Sequence, residues 1–116
     1  MSDSSPEPIT WEDFERVEMR IGTVLSAELN PKANKPAYVL QVDFGTAGIR
    51  TSSAQLTRHY TPEQLIGMQV VGVLNFPPKR IAGVKSEALI LGALCDENGV
   101  VLLTPTQGVL NGSRIG

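Results

Sequence analysis

Cysteine and histidine are nearly missing: the 116 residues hold one of each, Cys95 and His59. A single cysteine excludes an internal disulfide, and the two residues together supply too few soft ligands for a Cys/His zinc site. A catalytic triad needs a nucleophile, a base and an orienter. His59, directly before Tyr60 and a helix start, reads as a loop residue rather than a general base. No Gly-x-Gly-x-x-Gly follows a strand, so phosphate-cradling loops of the dinucleotide type are missing. The chain is expected to be no enzyme and to hold no cofactor and no metal. No apolar run approaches the roughly 18 residues of a membrane helix. The start, Met1-Ser2-Asp3-Ser4-Ser5-Pro6-Glu7, is acidic where a signal peptide is basic and then apolar. A cytoplasmic protein without membrane insertion is expected. Aromatic residues are scarce too: Trp11, Phe14, Tyr38, Phe44, Tyr60 and Phe76 are all there are.

What is present describes one ordinary folded domain. The length suits a single hydrophobic core. A hydrophobic share of 41% with 19% charged residues lies in the globular range, away from disordered or fibrous chains. The formal charge of −2 argues mildly against a nucleic-acid partner, but its distribution argues the other way. Residues 1–31 carry seven acids (Asp3, Glu7, Glu12, Asp13, Glu15, Glu18, Glu28) against Arg16 and Arg20. Residues 32–85 carry Lys32, Lys35, Arg50, Arg58, Lys79, Arg80 and Lys85 against Asp43 and Glu63, so this stretch is +5 while its flanks are −5 and −2. A basic centre between acidic ends lets one face attract phosphates; chance segregation of surface charge is the plainer alternative.

Residues 1–8 are polar with two prolines, and 1–9 read as a disordered leader, with the domain spanning 10–116. Thr10 followed by Asp13 resembles a capping box, and Ile9 with Phe14 a hydrophobic staple, which predicts a short helix opening at Thr10. From Val17 the period changes to two: Val17, Met19, Ile21, Leu25, Ala27 and Leu29 are expected on the buried face of one long strand. Gly22 near its middle permits a bend or close packing of another strand. A loop over 30–36 follows, then a strand carrying Tyr38, Leu40, Val42 and Phe44, the turn Gly45–Gly48, and a third strand over 49–52. Thr61, Pro62, Gln64 and Gly67 mark a helix over 62–66. Strands are predicted over 69–76, 87–94 and 100–103, with a turn at Asp96-Glu97-Asn98-Gly99. Five main strands and a C-terminal sixth, with a helix between the third and fourth, form the order of an OB barrel. That is a partly open five-stranded Greek-key β-barrel whose face and loops bind oligonucleotides and other extended ligands. The fold class is therefore all-β with short helices, with an N-terminal helix and an extra C-terminal strand; an SH3-like barrel lacks the mid-chain helix.

The informative loop is Asn75–Ser86. It places Lys79, Arg80 and Lys85 within seven residues, stiffened by Pro77-Pro78 and Gly83, and lies where an OB barrel meets its ligand. A solvated turn with idle lysines is the bland alternative. Period-two placement sends Tyr38 and Phe44 to the core and leaves Phe76 as the best stacking candidate.

Five ordered segments, Arg20–Val24, Lys35–Leu40, Arg50–Gln55, Asn75–Ser86 and Asn111–Ile115, resemble the tRNA-binding OB-domain family. Its members include the appendage of bacterial methionyl-tRNA synthetases and free-standing proteins, and the match is closest to the CsaA branch. The resemblance covers nearly all of the chain from Thr10 onward. It implies a homodimeric OB fold with a tRNA-binding face. For that branch it also implies binding of unfolded preproteins or the export machinery, a chaperone role in protein export. Carried over by motif, the nucleic-acid contacts are Lys32, Lys35, Arg50, Asn75, Lys79, Arg80, Lys85 and Ser86. Cations would neutralise phosphates, while Asn75 and Ser86 would bond sugar or base edges. One departure is that the synthetase pattern continues after the serine to a Gly-Met pair, whereas this chain has Glu87-Ala88-Leu89. A dimer also has a physical motive, since the helix bearing Trp11 and the strand from Val100 exceed the apolar surface one small barrel needs; alternatively, both segments cap the barrel ends.

Overall fold

The computed structural model describes residues 6–95 and 99–116. Five of its strands, β1 (Met19–Leu29), β2 (Tyr38–Asp43), β3 (Ile49–Ala54), β4 (Gln69–Val73) and β7 (Leu89–Ile90), form one antiparallel sheet in the order β3-β2-β1-β4-β7. The four antiparallel steps leave β3 and β7 running the same way. They meet at a seam where the Glu87 N–H donates to the Thr51 carbonyl (2.7 Å) and buried Ser52 donates through Oγ to the Ala88 carbonyl (2.8 Å). The sheet thus curls into a nearly closed OB-like barrel, as expected. A hairpin of β5 (Lys79–Ile81) and β6 (Val84–Ser86) projects between β4 and β7, and β8 (Gly92–Leu94) pairs with β9 (Val100–Leu102).

Both short helices start where their capping residues dictate. In α1 (Trp11–Glu15) Thr10 and Asp13 bond each other's backbone, and in α2 (Pro62–Leu65) Thr61 and Gln64 do the same with Pro62 in the first turn. Their packing differs. Leu65 anchors α2 in the core, whereas α1 buries nothing and leaves Trp11 85% exposed. Ile9 is exposed and Phe14 half-buried, and the two line one surface hollow with Thr10 and Trp11.

Inside the barrel, Val24, Ala27, Tyr38, Leu40, Val42, Phe44, Leu56, Leu65, Val70 and Leu74 form the centre of one cluster. Tyr38 and Phe44 point inward as their period requires. Gly22 on β1 and Gly72 on β4 leave room for the Phe44 ring: a β-carbon at either would lie 2.6 Å from it. The strand-pairing register of β1 corrects the sequence count. A β-bulge between Val24 and Ser26 shifts the alternation, so Val24 enters the core with Ala27 while Leu25 is exposed; Leu29, on the same face as Ala27 and opposite Tyr38, is exposed at the strand end. The stretch 87–94 is also not one strand. The Leu91 N–H bonds back to Val71 on β4 and its carbonyl accepts from Leu103, so the chain leaves the barrel there and turns into the β8–β9 pair. Of the turn expected at 96–99, residues 96–98 lie outside the described residues, as do residues 1–5 of the expected leader; Pro6–Ile9 have no regular structure.

The C-terminal segment completes β1. Ile21 N–H donates to Ser113 O, Gly112 N–H to Ile21 O and Ile115 N–H to Met19 O, on the edge of β1 that β2 does not reach. Side chains fasten the same seam: Thr23 Oγ1 donates to Asn111 Oδ1 (2.7 Å), Arg20 Nη1 to the Gly112 carbonyl (2.8 Å), and Arg114 pairs with Glu18.

Candidate nucleic-acid interface

The 79–86 segment is a hairpin, and its turn explains why. Ala82 and Gly83 both have positive φ (48° and 83°), the requirement of a two-residue type I′ turn. Ala82 is held there from outside, because buried Asn30 donates through Nδ2 to its carbonyl (3.3 Å). Asn30 Oδ1 accepts from the Lys32 N–H (3.0 Å), so one amide joins the 30–36 loop to the hairpin tip. Lys32 Nζ ends 3.7 Å from where a β-carbon on Gly83 would sit.

Around these two loops and past the end of β3 at Ser53 lies a trough made of three adjoining hollows. The first, about 250 Å³, is lined by Ser53, Phe76, Pro77, Lys79, Ile81, Ser86, Glu87, Ala88 and Leu89. The second, about 520 Å³, shares Ser53 and Ile81 and adds Lys32, Asn34, Lys35 and Gln55 among others. The third, about 240 Å³, shares Lys35 and Gln55 and adds Thr57 and Arg58. One end is apolar; the remainder carries cations. Among the described residues the ion pairs are Arg20–Glu18 and Arg114–Glu18, so Lys32, Lys35, Arg58 and Lys79 have no acidic partner there. Cations spaced along a trough without partners are what a phosphate backbone neutralises.

The eight candidates from sequence separate into three groups. Lys32, Lys35, Lys79 and Ser86 line the trough. Arg80 and Lys85 sit directly opposite each other in the hairpin, one residue out of step with Lys79 and Ser86, and so project from its other face. Arg80 Nη1 makes a long bond (3.4 Å) to the Gly83 carbonyl. Arg50 and Asn75 are occupied elsewhere. Arg50 donates to the Ala47 and Leu74 carbonyls (3.3 and 3.0 Å). Asn75 accepts from the Glu18 N–H and donates to the Arg16 carbonyl (2.9 and 2.6 Å), which pins the approach to β1. Arg58, Gln55 and Ser53 belong to the trough but escaped the sequence reading, although Arg58 is one of the seven cations in the +5 stretch. Phe76, 59% exposed, stands at the apolar end beside Pro77.

His59 and Cys95 approach each other (Nε2 to Sγ 3.4 Å) on the exposed side near Gly99. No group of three or more metal-ligating side chains occurs among the described residues, and none of their helices is long and apolar enough to cross a membrane.

Comparison with known proteins places this geometry. Residues 19–114 match the family model described as "Putative tRNA binding domain". The chaperone CsaA of Bacillus anthracis is similar in structure, with a TM-score of 0.90 and 49% identity over 95% of this chain and 100% of that one. So is the CsaA chaperone protein of Picrophilus torridus, with a TM-score of 0.86 and 41% identity over 94% of this chain and 100% of that one. A methionine–tRNA ligase of Porphyromonas gingivalis is 38% identical over 109 residues, which is 94% of this chain and 16% of the ligase. The chain therefore spans about a sixth of the length of that curated relative.

Proposed function

The chain belongs to the tRNA-binding domain family, and from that premise we propose that it is a non-catalytic module that holds tRNA in the trough between the 30–36 loop and the β5–β6 hairpin. The observation that carries this is the convergence of Lys32, Lys35, Arg58 and Lys79 on three adjoining hollows, with no acidic partner among the described residues. In OB barrels the equivalent loops and sheet face receive oligonucleotides. With few aromatics on that face, affinity rests mainly on phosphate contacts and RNA shape, giving weak sequence preference overall and steep loss with salt. Labelled tRNA followed by fluorescence anisotropy at roughly 50 and 200 mM salt tests this, since phosphate-driven binding weakens strongly over that range. No binding at the lower salt would refute it.

A second reading is favoured by the chaperone names of the structural relatives and by the apolar end of the trough: capture of unfolded polypeptide, with preproteins or the export machinery as partners. A chemically unfolded protein that competes for the same trough as tRNA would support it. A homodimer and a cytoplasmic place of action belong to the same proposal. The exposed side chains Ile9 and Trp11 on the N-terminal side, and Leu110 in the segment that Arg114 fastens to the Glu15 carbonyl (2.8 Å), are the apolar surface a second copy would cover.

A further inference from the structure

Phosphate binding leaves the apolar end of the trough unexplained, and the acid inside it most of all. Phe76, Pro77, Ile81, Ala88 and Leu89 make walls that a phosphate gains nothing from, and Glu87 among them repels one. The Glu87 carboxylate is only partly used: Oε1 accepts the Thr51 N–H (3.1 Å), and no cation pairs with it among the described residues. An ionised carboxylate has about four lone-pair sites, so acceptor capacity remains. At about 250 Å³ the compartment is smaller than the roughly 300–1,000 Å³ of pockets for whole drug-sized ligands, and so suits one ring system.

We propose that this compartment receives one unpaired RNA base carrying an exocyclic amino group, stacked on Phe76 and read by the Glu87 carboxylate. The inference rests on the trough being the RNA site. Phe76 offers an exposed aromatic face, and every base has a π-face to lay on it. Glu87 supplies the selectivity that stacking lacks. A carboxylate accepts from the N4 amino group of cytosine, whereas the O4 of uracil in the same place meets it acceptor to acceptor. Lys79 on the same hollow and Lys32 on the next one take the flanking phosphates. An acid within a basic trough is then a discriminator: it keeps the backbone out of the base compartment and rejects uracil.

Labelled oligo(rC) and oligo(rU) of equal length, and so of equal charge, are the probes, with anisotropy as the readout. Wild-type protein is expected to bind oligo(rC) about tenfold more tightly than oligo(rU), the low end of what one good base contact confers. Glu87→Gln keeps an oxygen for the Thr51 N–H but presents an amide N–H, a donor suited to uracil O4. It is expected to erase or invert the preference while the salt slope stays that of wild type. Equal affinities for the two oligomers in wild type, with normal salt dependence, would overturn the base pocket and leave the RNA trough standing. Failure of both oligomers and of tRNA to bind at about 50 mM salt would instead remove the RNA reading itself. Displacement of oligo(rC) by an apolar peptide, lost in Phe76→Ala, would reassign the compartment to polypeptide and also overturn the proposal.

Discussion

Removing Lys32, Lys35 and Lys79 together is expected to flatten the salt dependence of tRNA binding, whereas removing Arg80 and Lys85 is expected to leave most of it. The first three line the trough on both banks, and the second pair projects from the other face of the β5–β6 hairpin. Each neutralised phosphate contributes roughly 0.7 to 0.9 to the slope of log K against log salt, so three lysines account for a change of about 2 to 3. Over the fourfold span from about 50 to 200 mM salt, wild type should then lose roughly 20- to 40-fold more affinity than the triple alanine variant. The slopes come from anisotropy titrations at four or five salt concentrations, and circular dichroism checks the fold. Arg80 and Lys85 are directly opposed like charges, so their replacement should raise stability by about 0.2–1 kcal/mol while changing the slope by less than about one unit. An unchanged slope in the trough variant, or a larger change in the Arg80/Lys85 variant, would show that phosphates bind elsewhere.

Four further outcomes rest on the packing. Gly22→Ala and Gly72→Ala each place a β-carbon 2.6 Å from the Phe44 ring, and urea unfolding should show a loss of about 1–3 kcal/mol for either; wild-type stability would contradict the close approach. Thr61→Ala removes the cap of a helix whose Leu65 is in the core and should cost about 1 kcal/mol. Thr10→Ala uncaps a helix that buries nothing and should leave the unfolding midpoint unchanged, though α1 itself frays. Asn75→Ala frees the Glu18 amide and the Arg16 carbonyl, so hydrogen exchange at Glu18 should quicken while tRNA affinity holds; a large loss of affinity would move Asn75 into the site.

Local devices were the most legible part of the fold. Thr10 with Asp13, and Thr61 with Gln64, act over three residues, and both boxes close as their spacing predicts. The order of strands and the mid-chain helix also follow from period and turn residues, enough to name the barrel. The bulge at Leu25 was hidden because Val24 and Leu25 are both apolar, and only pairing with β2 decides which one turns inward. The hairpin at 79–86 was hidden because Ala82 takes a conformation that sequence rules reserve mainly for glycine and asparagine, stabilised by Asn30 from 52 residues away. Arg50 and Asn75 carry a second task that their local sequence does not show, bonding backbone groups 24 and 57 to 59 residues away. The family resemblance divides in the same way: Arg20–Val24 and Asn111–Ile115 lace the C-terminal segment to β1, while the other three segments contribute to the trough.

The most direct test of the trough is an amide chemical-shift titration of the isotope-labelled protein with tRNA at about 50 mM salt. The expected result is a contiguous set of shifts over 30–36, 50–58 and 76–89, with α1 and the β8–β9 pair unchanged. Shifts confined to α1 or to β8–β9, with the trough silent, would contradict it.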